Sequence, residues 1–147
     1  GEDTKLCLDL IQAGHDIWYE PTLLVYHHRR PTFRGHFKQV GGYGLHRGHF
    51  AKIYPHTSAL PLYFAPSTFL LGNIILFFLG FANTFFWQIW GVLLAVYLLL
   101  AIIDIMSRTR DLWIAGMTLL VLVGSHLVYG WRFIQGYFTS RLVSKLR

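Results

Sequence analysis

Two apolar stretches decide the fold of this chain: LYFAPSTFLLGNIILFFLGFA at residues 62–82 and FFWQIWGVLLAVYLLLAIIDI at residues 85–105. No Asp, Glu, Lys or Arg occurs between Lys52 and Asp104. A helix that crosses the hydrocarbon core of a bilayer needs about 20 apolar residues, so this interval has room for two such helices. Only two residues separate the stretches, which predicts a tight helical hairpin. A third stretch, LWIAGMTLLVLVGSHLVYGW at residues 112–131, brings the prediction to three transmembrane helices.

The overall composition also indicates a membrane protein. The chain has 147 residues, of which 54% are hydrophobic, whereas soluble domains are about 45–50% apolar. Tryptophans lie near the ends of the predicted spans, where an interfacial aromatic belt is expected. The N-terminus is acidic and lacks the early apolar segment of a signal peptide. Because the first residue is Gly1 and not Met, we expect the sequence to be part of a longer or processed chain.

The first 28 residues are expected to form the edge of an α/β domain. Residues 2–13 carry apolar side chains at helical spacing, and Gly14 suits the end of a helix. The only cysteine, Cys7, falls on the apolar face, so we expect it to be buried. Residues 17–19 and 22–28 are rich in aromatic and β-branched side chains, which favours two strands. These 28 residues are too few to bury a core alone.

A basic segment at residues 29–61 separates that edge from the first span. It contains no acidic residue and has six basic ones: Arg29, Arg30, Arg34, Lys38, Arg47 and Lys52. Apolar residues recur every three or four positions, as in an amphipathic helix at a membrane surface, although several glycines would weaken or break that helix. The tail at residues 132–147 is also basic and amphipathic, and we expect it to lie on the membrane surface. The predicted units are therefore residues 1–28, 29–61, 62–131 and 132–147.

The orientation in the membrane is only partly determined by charge. The positive-inside rule places short basic loops in the cytoplasm. It assigns the basic segment and the loop containing Arg108 and Arg110 to that side. Three spans then put the basic tail on the opposite side, which the rule disfavours, so either the tail is an exception or one helix re-enters. We expect an integral protein of the plasma (inner) membrane with its N-terminal part in the cytoplasm.

A set of short motifs follows in a characteristic order. The set consists of GED at 1–3, a helix ending in AGH at 13–15, WYEP at 18–21, VYHHRRP at 25–31, and Gln39 before aromatic and glycine residues and a span. This order resembles the C-terminal half of a membrane-bound glycosyltransferase of family 2, closely over residues 1–50 and loosely over the spans. The catalytic domain of that family has the GT-A fold. The resemblance implies a mixed fold class, the C-terminal edge of an α/β GT-A domain followed by an α-helical membrane module of about three transmembrane helices.

The resemblance also implies roles for individual residues. Asp3 matches the catalytic base, which deprotonates an acceptor hydroxyl for in-line attack on the anomeric carbon of the donor sugar, with inversion. Glu2 would lie beside it, near the acceptor. His27, with His28 as the alternative, matches a histidine that contacts the metal or the donor diphosphate.

The segment that begins at Gln39 departs from the family pattern. Related synthases carry Gln-x-x-Arg-Trp in an interface helix that touches acceptor and diphosphate, whereas this chain has Gly42 at the Arg position and Tyr43 at the Trp position. A tyrosine can still pack on a sugar ring, and the missing charge would come from Arg47 or Arg34. The implied cofactor is Mg²⁺ or Mn²⁺, completed by residues upstream of this chain, because the sequence has no Asp-x-Asp motif. We therefore expect this chain to be inactive alone.

Simpler explanations stay open for these residues. Acids at a helix start interact favourably with the helix dipole, a histidine at the end of a strand can bond to backbone, and basic residues near a span attract anionic lipid headgroups. Ser125, His126 and Tyr129 predict a hydrogen-bonding patch between helices. Two functions remain: part of a glycosyltransferase, or a non-catalytic membrane anchor or assembly subunit of a cell-envelope complex. The expected partners are a nucleotide-sugar donor, a saccharide or lipid-linked acceptor, and membrane lipid; nucleic acid is not expected.

Overall fold

The computed structural model describes residues 2–26, 32–140 and 142, and these residues form six helices and no strand. The helices are α1 (Glu2–Gln12), α2 (Phe33–Ile53), α3 (Pro55–Ser58), α4 (Pro61–Leu79), α5 (Thr84–Arg108) and α6 (Leu112–Phe138). Three of them, α4, α5 and α6, are long and apolar enough to cross a membrane. The prediction of three candidate spans is confirmed, and the chain is a membrane protein by this criterion.

The predicted strands are wrong. Residues 15–20 and 23–26 have no regular secondary structure, and Tyr19 and Tyr26 are 88% and 94% exposed. A strand needs a neighbouring strand to bond its backbone, and the preference of aromatic residues for strands depends on packing against such a neighbour. The described part of the chain offers none. The expected α/β GT-A edge is therefore wrong, and only the helical membrane module of the predicted fold class remains.

Helix α1 begins and ends close to the predicted positions, but its apolar face is uncovered. Gly14 has a φ of 83° and its N–H donates to the Ile11 carbonyl, while the His15 N–H donates to the Leu10 carbonyl. This is the Schellman ending that glycine favours. Cys7 was predicted to be buried and is instead exposed, because no other described helix packs closely on the apolar face, where Ile11 is 59% exposed.

The tightest packing in the molecule joins α2 to α6. The two helices run in the same direction, since Gly44 meets Tyr129 and Gly48 meets Phe133 one turn later. A Cβ added at Gly44 would lie 2.6 Å from the Tyr129 carbonyl oxygen, and one added at Gly48 would overlap the Phe133 carbonyl. The glycines predicted to weaken or break α2 were Gly41, Gly42 and Gly44, yet the helix is continuous. Gly41 and Gly44, like Gly48, face α6, as small residues do between membrane helices, whereas Gly42 does not.

The predicted surface tail belongs in part to α6. The helix continues past residue 131 to Phe138. Phe133 is only 2% exposed and Gly136 is buried against α2. These last turns pack on protein because their apolar and small side chains meet the glycine face of α2. Residues 141 and 143–147 of the predicted tail lie outside the described residues.

Helices α4 and α5 form the expected antiparallel hairpin. Asn83 caps α5, and its side-chain oxygen accepts a hydrogen bond of 2.9 Å from the backbone N–H two residues later. Trp90 Nε1 donates to Asn73 Oδ1 at 2.9 Å, and Trp87 Nε1 donates to the Phe77 carbonyl at 3.0 Å. Later residues of α4 therefore contact earlier residues of α5, which shows that the two helices are antiparallel.

The first half of α4 contacts the second half of α6. Ser67 Oγ donates to the Gly130 carbonyl at 3.2 Å, and both residues are buried. The Phe64 ring lies 4.8 Å from the Phe133 ring and 6.5 Å from the Tyr137 ring, centroid to centroid. The beginning of the first candidate span therefore touches the end of the third.

Candidate functional site

A cavity of about 480 Å³ opens where α1, α2, α4 and α6 meet. Its wall consists of Asp3 and Thr4 from α1, Tyr43, His46, Arg47 and Phe50 from α2, Leu62 and Tyr63 from α4, and Tyr129 from α6. The volume lies within the range of about 300–1,000 Å³ that is typical of ligand sites. Three predicted site residues, Asp3, Tyr43 and Arg47, line this cavity, whereas Arg34, the alternative to Arg47, does not.

Helix geometry explains which side chains α2 contributes to the cavity. Tyr43, His46, Arg47 and Phe50 recur at intervals of three and four residues, which places them on one face. The glycines of α2 that contact α6 lie on the neighbouring face and hold the helix in place. One face of α2 therefore fixes the helix in place while the next presents aromatic and basic side chains to the cavity.

Arg47 supplies a fixed positive charge. Its guanidinium carbon lies 4.2 Å from the centroid of the Tyr63 ring, which is a cation–π contact. Among the described residues, the only carboxylates in ion pairs are those of Asp9 and Asp104, and neither pairs with Arg47. The guanidinium therefore has donors left for an anionic or hydroxyl-rich ligand.

Tyr43 presents an aromatic face whose hydroxyl is held in place. The residue is 58% exposed, and Gln39 Nε2 donates a hydrogen bond of 2.8 Å to its hydroxyl oxygen. Gln39, predicted to bind substrate, does not line the cavity and instead orients Tyr43 from one turn away. Apart from its chain neighbours and the backbone of its own helix, no atom lies within 4 Å of a Cβ built at Gly42, so the position predicted to match the Arg of the resembled motif faces open space.

Asp3 is exposed in the first turn of α1. Its carboxylate accepts no side-chain hydrogen bond and forms no ion pair within the described part of the chain. Lys5, two residues later, places its ammonium 5.9 Å from the Tyr54 ring, which links α1 to the end of α2. The hydrogen bond from Lys5 to Asp9 raises the pKa of the lysine above its usual value, so the lysine stays charged.

Some predicted site residues cannot be placed. The Glu2 side chain, His27 and its alternative His28 lie outside what the structure describes. No group of three or more His, Cys, Asp or Glu that could hold a metal occurs among the described residues. The cavity offers one carboxylate and one imidazole, whereas Mg²⁺ and Mn²⁺ prefer octahedral oxygen coordination. The cavity residues alone do not fit either ion, and a metal completed by residues upstream of this chain stays a prediction.

Other residues of the wall were not predicted as site residues. His46 and Phe50 share the helical spacing of Tyr43 and Arg47, so that periodicity could have found them. Tyr63 and Tyr129 come from two distant helices, and no local pattern in the sequence connects them to the others.

The predicted hydrogen-bonding patch in the third span is confirmed for two of its three residues. The Ser125 hydroxyl lies 2.9 Å from His36 Nε2 on α2, and His126 Nδ1 lies 2.8 Å from the Tyr97 hydroxyl on α5. These bonds tie α6 to two neighbouring helices. The third residue, Tyr129, lines the cavity instead.

The cavity combines groups that suit a hydroxyl-rich ring. A carboxylate from α1 and a guanidinium from α2 line it, and tyrosines provide both ring faces and hydroxyls. Charged groups form the stronger hydrogen bonds to hydroxyls or phosphates. Comparisons of the chain with protein families, with curated proteins and with solved structures found no match.

Proposed function

We propose that this chain is the membrane part of an inverting glycosyltransferase and that the cavity binds the reacting end of the acceptor. The observation that carries the proposal is the meeting of Asp3, Tyr43 and Arg47 in one wall. The motif order predicts roles for Asp3 and Tyr43, which lie in two separate segments, and Arg47 was one of two candidates, with Arg34, for the charge that the motif lacks. Their convergence supports a shared task, whereas acids that only favour a helix dipole need not face a ligand-sized cavity.

The proposed chemistry is direct displacement at the donor sugar. Asp3 takes the proton from an acceptor hydroxyl, and the hydroxyl oxygen forms a bond to the anomeric carbon. The bond from that carbon to the phosphate oxygen breaks at the same time, and the nucleoside diphosphate leaves with the electron pair. Attack from the face opposite the leaving group inverts the configuration. Holding acceptor and base in this geometry supplies much of the rate.

The other cavity residues bind the reactants. The Tyr43 face packs on the acceptor sugar while Gln39 holds its hydroxyl in place. Arg47 attracts the negative charge of the departing diphosphate. We place the reaction at the cytoplasmic face of the plasma membrane, because the basic residues of α2 favour that side. The donor is a nucleotide sugar, and the acceptor is a saccharide or a lipid-linked saccharide.

The test replaces Asp3 by Asn in the full protein, in its own membranes. Transfer of a radiolabelled sugar from a panel of nucleotide sugars into the lipid and polysaccharide fractions is the readout. General-base catalysis is worth about 10²–10⁴-fold, and we expect a loss of that size. Resistance to carbonate extraction should not change.

The matched control is Asp9→Asn. Asp9 lies on the same helix and pairs with Lys5, but it does not line the cavity. We expect this variant to keep full transfer activity. If Asp3→Asn is as active as the native protein, the proposal is wrong and a non-catalytic anchor or assembly subunit becomes the better explanation.

A further inference from the structure

Two basic side chains of α2 lie on a face of the helix that does not line the cavity. Arg34, Lys38 and Gly41 follow one another at intervals of four and three residues, so they share one face of α2. Tyr43 and Phe50, which line the cavity, fall on the opposite side of the helix by the same periodicity. Arg34 and Lys38 are both exposed, and neither forms an ion pair or a side-chain hydrogen bond within the described part of the chain.

Arg132 of α6 brings a third positive charge to this face. A Cβ built at Gly41 would lie 3.3 Å from Arg132 Cγ and 3.8 Å from Arg132 Nε, so the glycine leaves room for the arginine side chain to lie over α2. Arg132 Nη1 donates a hydrogen bond of 2.9 Å to Gln135 Oε1. A guanidinium has five N–H donors, and the others remain for a ligand. Arg34, Lys38 and Arg132 are called the basic patch below.

The sequence provides no acidic residue to balance the basic patch from the helices that form it. Neither residues 21–103 nor residues 112–147 contain Asp or Glu, and these ranges include all of α2 and α6. The carboxylates in the ion pairs of the described residues belong to Asp9 and Asp104, on other helices. Like charges that lie close together repel one another, and an anion between them removes this repulsion and accepts charge-assisted hydrogen bonds.

The position of the basic patch next to the candidate spans indicates where the anion comes from. Arg132 lies in α6, which is itself a candidate span, and α2 leads through the short helix α3 into another, α4. Trp131, beside Arg132, is 55% exposed. Tryptophans are enriched at the membrane–water interface, where lipid headgroups lie. The anion with the highest local concentration at that level is the phosphate of an anionic phospholipid.

We propose that Arg34, Lys38 and Arg132 form a specific site for the phosphate of an anionic phospholipid, which bridges α2 and α6. Two of the cations belong to α2 and the third to α6, so a bound headgroup ties the helices together and stabilises the folded protein. Every basic residue near a span also feels a diffuse attraction to anionic lipid. A built site differs from this attraction because it depends on these three residues and not on the total charge. The inference does not rest on the proposed function.

The test is thermal unfolding of the full protein in dodecyl maltoside at 150 mM salt, followed by circular dichroism. Phosphatidylglycerol, or phosphatidylcholine with the same acyl chains, is titrated into the micelles. We expect a saturable rise of the midpoint with phosphatidylglycerol only, and its concentration dependence gives an apparent affinity. Arg34→Gln, Lys38→Gln and Arg132→Gln should each weaken this affinity about fivefold, the factor that corresponds to about 1 kcal/mol per basic residue.

The matched control is Lys52→Gln on the same helix. Lys52 is exposed and carries the same charge, but it lies fourteen residues or about 21 Å beyond Lys38. The Debye length at this salt concentration is about 8 Å, so the apparent affinity should stay at the native value. Arg34 and Lys38 make no side-chain bond that a substitution would break, so their variants keep the test decisive even if Arg132→Gln disturbs the packing.

Three results would overturn the inference. Equal weakening by Lys52→Gln and the variants of the basic patch would show a diffuse attraction to net charge. An equal rise of the midpoint with phosphatidylcholine would show that the phosphate of an anionic lipid is not selected. The same rise with inorganic phosphate alone would mean that the ligand is a free phosphate group and not a lipid.

Discussion

Replacing Gly48 by Ala should destabilise the helix pair α2–α6. A Cβ at this position would overlap the carbonyl of Phe133 and come within 3.0 Å of its Cα. These are backbone atoms, so no side-chain rotation can relieve the overlap and the two helices must move apart. Overpacking of this kind costs about 1–3 kcal/mol.

The matched variant is Gly42→Ala on the same helix. No atom lies within 4 Å of a Cβ built at Gly42. Both substitutions gain the helix propensity of alanine over glycine, about 1 kcal/mol. This gain cancels when the two variants are compared, so the difference in their unfolding free energy isolates the overlap at Gly48, about 1–3 kcal/mol.

The assay is loss of helical circular dichroism as SDS is titrated into the protein in mild detergent micelles. We expect the midpoint of Gly48→Ala to lie below that of the native protein and the midpoint of Gly42→Ala to lie at or above it. Equal midpoints for the two variants would show that α2 and α6 do not pack through this glycine, and the reasoning on the interface would be refuted.

Two further predictions concern single contacts. Tyr63→Leu removes the ring that faces the Arg47 guanidinium and should lower the same SDS midpoint by an amount equivalent to about 0.5–2 kcal/mol. Tyr63→Phe keeps an aromatic ring and should retain most of this stabilisation. Equal effects of the two substitutions would exclude a cation–π contribution. Hydrogen bonds from the side chain and backbone of Thr22 lower the pKa of Glu20, so their stabilisation is present above the usual glutamate pKa and is lost as pH falls through the lowered one. Thr22→Val should raise that pKa towards its usual value in a carbon-13 NMR titration, and an unchanged pKa would contradict the assignment.

The candidate spans could be predicted from the sequence because their signal is local. Residues 62–82, 85–105 and 112–131 were expected, and the helices are Pro61–Leu79, Thr84–Arg108 and Leu112–Phe138. A long run without charges specifies a membrane helix whatever its neighbours are. The predicted and observed spans differ only at their ends. The largest difference is at the end of α6, whose last turns are helical because they pack against α2.

The predictions for the strands and for the glycines of α2 were wrong for the opposite reason. Both depend on a packing partner that is distant in the sequence. Residues 17–19 have the composition of a strand but meet no sheet among the described residues. Gly44 and Gly48 have poor helix propensity, yet their effect is decided by α6, which follows more than sixty residues later in the chain. Propensity is a weak prior that tertiary packing overrides.

The candidate site was predictable only in part. Asp3 and Tyr43 were named from the motif order, and Arg47 was named, with Arg34, as a replacement for the charge that the motif lacks. Tyr63 and Tyr129 could not be named as site residues, because their place in the wall depends on how α4 and α6 pack against α2. A motif identifies side chains with a chemical task, whereas the aromatic surroundings of a site come from packing.

The contact between Phe64 and Tyr137 bears on how the chain lies in the membrane. Three complete crossings would put the start of α4 and the end of α6 on opposite faces of the bilayer, about 30 Å apart. The two rings are instead 6.5 Å apart, so the three helices cannot all be upright spans while this contact is made. If α6 re-enters instead of crossing, its end returns to the face where α4 begins. The basic residues of α2, the loop at Arg108 and Arg110, and the end of α6 then share one face, as the positive-inside rule requires. Both the packing and the charge distribution therefore favour a hairpin of two full spans, α4 and α5, with α6 lying across it.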